Sequence, residues 1–152
     1  MTGGTLPLAT QPAQQNPDFI HQWWIERHQQ KCLEVAERGT SVELVFLGDS
    51  ITHAWEDFGA SQWQTHFAPL QALNLGYAGD RTENVLWRIQ HGELTGLSPK
   101  LLVLLIGTNN IGHRQDPPEH TALGVKAIIE EIQSALPKCK ILLLSIFPRG
   151  QT

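Results

Sequence analysis

At 152 residues the chain has room for one domain, and a hydrophobic content of 41% is ordinary for a globular protein. A net charge of −4 gives no electrostatic attraction to nucleic acid or to an anionic membrane. No run reaches the roughly 18 apolar residues of a membrane helix, and the N-terminus lacks the charged start and apolar core of a secretory leader, so a cytoplasmic location is expected.

Residues 1–15 are rich in Gly, Pro and Gln and predict an extended segment lying loosely on a domain that occupies 16–152. Asn16-Pro17-Asp18 reads as a cap with proline in the first turn, opening a helix to about Arg38 that Gly39 ends. Ile20, Trp23, Trp24, Cys32, Leu33 and Ala36 give that helix a partial apolar face. Val42–Leu47 is the first strand, near-continuously apolar as a parallel strand covered on both faces should be. A helix carrying Trp55 and Phe58, a loop near Gly59 and the segment Ser61–Phe67 precede the second strand, Ala72–Leu75. Thr82 is placed to cap a helix over Glu83–His91 that carries Val85, Leu86 and Ile89.

Leu101–Ile106 is the third strand. Asp116-Pro117-Pro118-Glu119 approaches a capping box and opens a helix in which Val125, Ile128, Ile129, Ile132 and Leu136 recur at helical spacing, until Pro137 stops it. Ile141–Ile146 is the last strand. Alternating strands and helices imply a parallel α/β sheet with right-handed crossovers and helices on both faces. Cys32 and Cys139 have no metal-ligand spacing and read as free, reduced thiols, and no pattern asks for a metal or cofactor.

The chemistry sits where strands end. Val45-Phe46-Leu47-Gly48-Asp49-Ser50 runs from an apolar strand into a glycine, a carboxylate and a hydroxyl. Leu73-Asn74-Leu75-Gly76-Tyr77-Ala78-Gly79-Asp80 and Leu104-Leu105-Ile106-Gly107-Thr108-Asn109-Asn110 end comparably. Open α/β sheets bind ligands beyond the carboxyl ends of their strands. Taken singly, Ser50 also suits a helix N-cap, Gly79 a tight turn and Asn109 a loop-stabilising amide. Asp49 reads as a local hydrogen-bonding residue shaping the serine turn, too near in sequence to orient a histidine.

In order and rough spacing these three blocks resemble the GDSL or SGNH hydrolase family from about residue 40 onward. Gly79-Asp80-Arg81-Thr82-Glu83-Asn84-Val85-Leu86-Trp87-Arg88-Ile89 and Phe147-Pro148-Arg149-Gly150 are most similar to its platelet-activating factor acetylhydrolase catalytic-subunit branch. The resemblance implies a three-layer α/β/α sandwich with a flavodoxin-like sheet. It also implies a serine ester hydrolase, with Ser50 as nucleophile and the Ser50 N–H, the Gly79 N–H and the Asn109 side-chain amide as oxyanion donors. A small ester substrate, acetyl on the branch resemblance alone, would react through an acyl-serine intermediate.

The family's closing Asp-x-x-His block does not follow the last strand. The expectation is therefore a domain lacking a final strand and helix, with Ile141–Ile146 left as an apolar edge that a homodimer or a complementing C-terminal fragment would cover. His21, His28, His53, His66, His91, His113 and His120 each read first as solvated or hydrogen-bonded surface residues, with His113 the least implausible local base among them. The competing reading is a non-catalytic scaffold. A nucleotide-binding flavodoxin relative is disfavoured by the carboxylate of Asp49 where a phosphate cradle would sit. Trp55, Trp63 and Trp87 read as core residues before they read as a sugar platform.

Overall fold

The computed structural model describes residues 4–15 and 22–150. Four strands, β1 (Leu44–Gly48), β2 (Ala72–Gly76), β3 (Leu101–Leu105) and β4 (Lys140–Leu143), form one sheet in the order β2-β1-β3-β4. Every pairing is parallel. This matches the first four strands of the flavodoxin-type order 2-1-3-4-5.

Alternation along the strands separates two cores. Val45, Leu47, Leu73, Leu75, Leu102 and Leu104 share one core with Val35, Val85, Leu86, Ile128 and Ile132. These come from α1 (Gln22–Arg38), α4 (Thr82–Arg88) and α6 (Pro118–Ala135). The other face carries Leu44, Ala72 and Val103 with Phe46, Trp63 and Phe67. Here α3 (Ala60–His66) supplies an aromatic cover in which Trp63 and Phe67 meet Phe46 edge-on at 5.3 and 4.9 Å. Trp55 joins the same cluster, and Trp87 packs on Trp24 and His91, so all three tryptophans are packing residues.

Several local expectations are corrected. The described part of the N-terminal segment, residues 4–15, is docked rather than loose: Ala9 is buried, its carbonyl accepts from Thr82 Oγ1 at 2.7 Å, and the Ala13 N–H donates to Glu83 O at 3.1 Å. Thr82 is thereby diverted from capping. Arg81 takes the N-cap position of α4, its N–H donating to Asn84 Oδ1 at 2.8 Å. The helix predicted over Glu83–His91 breaks at Arg88 into a π-type turn, Ile89–Glu93, where Gly92 adopts φ +96°.

Pro117 rather than Asp116 precedes α6, because Asp116 is held by Arg114 Nη2 at 2.7 Å. The last strand stops at Leu143, three residues early, with Leu142 and Leu143 half exposed. A strand paired on one side only has no second ladder to hold it extended. The predicted cap Asn16-Pro17-Asp18, together with Ile20 and His21, lies outside the described residues.

Candidate active site

β1 is the central strand for the site: Gly48 is in register with Gly76 of β2 on one side and with Leu105 of β3 on the other. Residues leaving these three strand ends therefore meet at one sheet edge, where the order turns from β2-β1 to β3-β4. The short helix α2 (Ser50–His53) lies directly across that edge. Its approach depends on two glycines. A Cβ on Gly48 would stand 2.3 Å from Leu105 O, and one on Gly76 would stand 2.2 Å from the His53 backbone nitrogen.

The cap of α2 is Asp49, whose carboxylate accepts from the Ile51 N–H at 3.0 Å. Ser50 is thus relieved of capping, stands exposed, and its hydroxyl has no hydrogen-bond partner among the described residues. Its N–H is in the first turn, where amides lack intrahelical acceptors. Asp49 is fully buried and its Oδ2 is unpartnered among the described residues. Burial lifts its pKa to about 6 against the Ile51 hydrogen bond and the nearby positive Arg149. Arg149 is held over the β3 loop by Nη1 contacts to Thr108 O at 2.9 Å and Thr108 Oγ1 at 3.0 Å.

Gly79 sits in a turn at φ +83°, a region that favours glycine. The turn is gripped from several sides. The Ala78 N–H donates to His53 Nδ1 at 3.2 Å. Gln15 Nε2 bridges Ala78 O and Asp80 Oδ1, each at 2.8 Å. Asn109, buried in α5 (Thr108–Gly112), donates from Nδ2 to Asp80 O at 2.9 Å. That bond joins the Asn109 amide to the residue after Gly79 and leaves a second Nδ2 hydrogen. The Gly79 N–H itself has no acceptor among the described residues. Ser50, Gly79 and Asn109 therefore share one edge, two of them linked through Asp80.

No described histidine is hydrogen-bonded to the Ser50 hydroxyl. His53 is committed: Nδ1 accepts from Ala78, Nε2 lies 3.5 Å from Glu56 Oε2, and the ring stacks on Trp23 at 6.1 Å. Burial, and then Arg27, keep its pKa below the usual histidine value. His113 is exposed and lines a cavity of about 470 Å³ that also contains Gly79, roofed by Leu8 and residues 11–15. His28 and His91 are engaged elsewhere, with Glu93 and Trp87. One Asp-x-x-His does occur in the chain, Asp18-Phe19-Ile20-His21, ahead of β1 rather than after β4, and outside the described residues.

The sequence reading missed a buried ionic cluster beneath the site. Asp80, Arg88 and Glu93 are each fully buried. Arg88 Nε donates to Asp80 Oδ2 at 2.9 Å, and Nη1 donates to Glu93. Tyr77 donates its hydroxyl to Glu93 at 2.5 Å, and Trp24 Nε1 donates to Asp80 at 2.7 Å. Burial works against a charged His28 ring, but the Cys32 thiol and Glu93 outweigh it and lift His28 to about 9. Burial raises Asp80 to about 6 against the pull of Arg88. A signal was available: Arg88 lies three residues after Val85 and one before Ile89, on the apolar face of its own helix.

Among the described residues no cluster of His, Cys, Asp and Glu could hold a metal ion, and no helix is long and apolar enough to cross a membrane. The model of the GDSL-like lipase/acylhydrolase family matches residues 46–152. Human platelet-activating factor acetylhydrolase IB subunit alpha2 is 36% identical over 128 residues, covering 84% of this chain and 53% of that protein. The human alpha1 subunit is also 36% identical, over 84% of this chain and 52% of its own. The chain thus spans about half the length of the curated relatives it matches. A GDSL-like lipase from Bacteroides thetaiotaomicron, at 21% identity, superposes with a TM-score of 0.60 over 76% of this chain and 56% of that one, a likeness of fold.

Proposed function

The chain belongs to the GDSL-like lipase/acylhydrolase family, and from that premise we propose that it carries the nucleophile and oxyanion donors of a serine ester hydrolase. The observation behind this reading is the exposed Ser50, with its hydroxyl unengaged, on the same sheet edge as the open Gly79 N–H and the Asn109 amide. Ser50 Oγ would attack the ester carbonyl carbon while a base takes its proton. The negative oxygen would then lie against the N–H groups of Ser50 and Gly79 and the Asn109 side chain. Collapse expels the alcohol, which takes the proton, and water then releases the acid from the acyl-serine. Removing one such donor typically costs about 100- to 1,000-fold in turnover.

A short acyl group, acetyl by the name of the relatives, is the proposed substrate class. The domain is taken as 16–152, with 1–15 as its strap. The base is proposed to come from a C-terminal fragment or from a second copy seated on the bare β4 edge. Beside that edge an apolar groove of about 650 Å³ is lined by Ile106, Ile111, Val125, Ile129, Leu144 and Ile146. The two free thiols support a reducing, cytoplasmic setting.

The test is a fluorophosphonate reaction read by intact mass. One adduct, lost in Ser50→Ala, is expected, and the same spectrum reveals any copurifying fragment. An unlabelled 17.0 kDa chain beside a fully labelled control hydrolase would reject catalysis and leave a scaffold.

A further inference from the structure

Arg88 is buried to 0% exposure, and its guanidinium bonds the end of β1 that leads into Ser50, the end of β2, and Asp80 of the Gly79 turn. Nη2 donates to Gly48 O at 3.4 Å, the last carbonyl of β1, and to Leu75 O at 3.2 Å, the last but one of β2. Gly48 stands two residues before Ser50. Nε holds the carboxylate of Asp80, the residue after Gly79, at 2.9 Å. The remaining arm meets Glu93, and the fork lies 3.7 Å from the centre of the Tyr77 ring. We infer that Arg88 is a positioning residue, which sets the Ser50 turn and the Gly79 turn at a fixed separation by tying both to one rigid planar group.

The inference rests on the reading of Ser50 and Gly79 as site residues. Stability alone is a poor explanation for the cluster, since buried ion pairs are commonly no better than apolar residues of similar volume. What a planar fork supplies is direction: five N–H groups leave it at fixed angles, which a lysine cannot reproduce. Direction matters here because oxyanion donors work only when already aimed, and a misplacement of about 1 Å can cost on the order of 100-fold.

Asp80 extends the same frame outward. Its side chain also accepts from Trp24 of α1 and Gln15 of the strap, and its carbonyl accepts from Asn109 of α5. All three proposed donors are thus within one or two bonded steps of the guanidinium. Arg88 touches no reacting atom in this scheme.

The experiment compares the full chain with Arg88→Lys and Arg88→Met by residue-resolved amide hydrogen exchange and by the rate of fluorophosphonate labelling at Ser50. Exchange is expected to rise about tenfold or more at the hydrogen-bonded amides of the two turns, Ala78 and Asp80 on one side and Ile51 and His53 on the other, with the β1 amides 45–47 unchanged. Labelling is expected to slow about 100-fold at saturating reagent, with half-saturation nearly unchanged, and lysine should not rescue it. Tyr77→Phe removes one donor to Glu93 but keeps the fork, so it should show the same local pattern more weakly; it serves if the arginine variants do not fold.

Exchange that stays at the wild-type level, or rises evenly over the sheet, overturns the inference. Rescue by lysine does so as well. A wild-type chain that does not label rejects the reading of Ser50, and the exchange pattern then decides the role of Arg88 alone.

Discussion

Asp49 stands buried at the turn into α2 and carries an uncompensated cost. One oxygen caps α2, while the other is buried without a partner among the described residues. A carboxylate whose folded pKa is raised, here from 3.8 to about 6, favours the folded state most below the unfolded value. That contribution disappears as pH rises through about 6, a loss on the order of 2 to 3 kcal/mol. Asp49→Asn keeps an acceptor for Ile51 and cannot ionise. Its melting temperature should therefore exceed that of wild type at pH 7.5 and match it near pH 4. Equal melting temperatures at both pH values would mean that Asp49 is not buried as a charge. The residue's local role was legible from its place beside Ser50; its isolation was not, because burial depends on segments distant in sequence.

Among the elements, α2 is the one that aims Ser50, and it is too short to hold itself in place. Its position comes from below, through the bare backbone of Gly48 and Gly76, and from the side, through Asn74 Nδ2 donating to Thr52 O at 3.0 Å. Gly76→Ala would set a methyl group 2.2 Å from the His53 nitrogen and 2.6 Å from Thr52 C, both backbone atoms that cannot turn aside. A loss of about 2 to 3 kcal/mol in urea denaturation is expected, together with loss of Ser50 labelling. Unchanged stability would show that α2 does not rest on the strand end. Strands and long helices were readable because their apolar spacing is local. The caps at Thr82 and Asp116 were misjudged because both side chains are drawn away, Thr82 by Ala9 far back in the chain and Asp116 by the neighbouring Arg114.

For the molecule as a whole, the decisive feature is asymmetry. One side of the sheet ends in β2, backed by α1 and the aromatic cluster, whereas the outer edge of β4 has no partner strand among the described residues. Leu142 and Leu143 are 47% and 48% exposed there, beside an apolar groove. Such an edge templates pairing with another strand. At tens of micromolar the chain is expected to sediment as a dimer or with a bound fragment, and Leu143→Lys should shift it to monomer. A wild-type monomer with a sharp thermal transition and no companion would show that the edge needs no cover.

The parallel α/β class, the three chemical blocks and their order were determined by the sequence alone, since strand periodicity, glycines and short polar tails are written locally. Only the tertiary structure decided which of those residues are free to act. It gave the cap to Asp49 and so released Ser50, and it spent His53 on the Ala78 amide. It also buried Arg88 among two carboxylates at the junction of two strands. The physical reason is that a side chain's freedom and charge depend on what surrounds it in space, and those neighbours come from all along the chain.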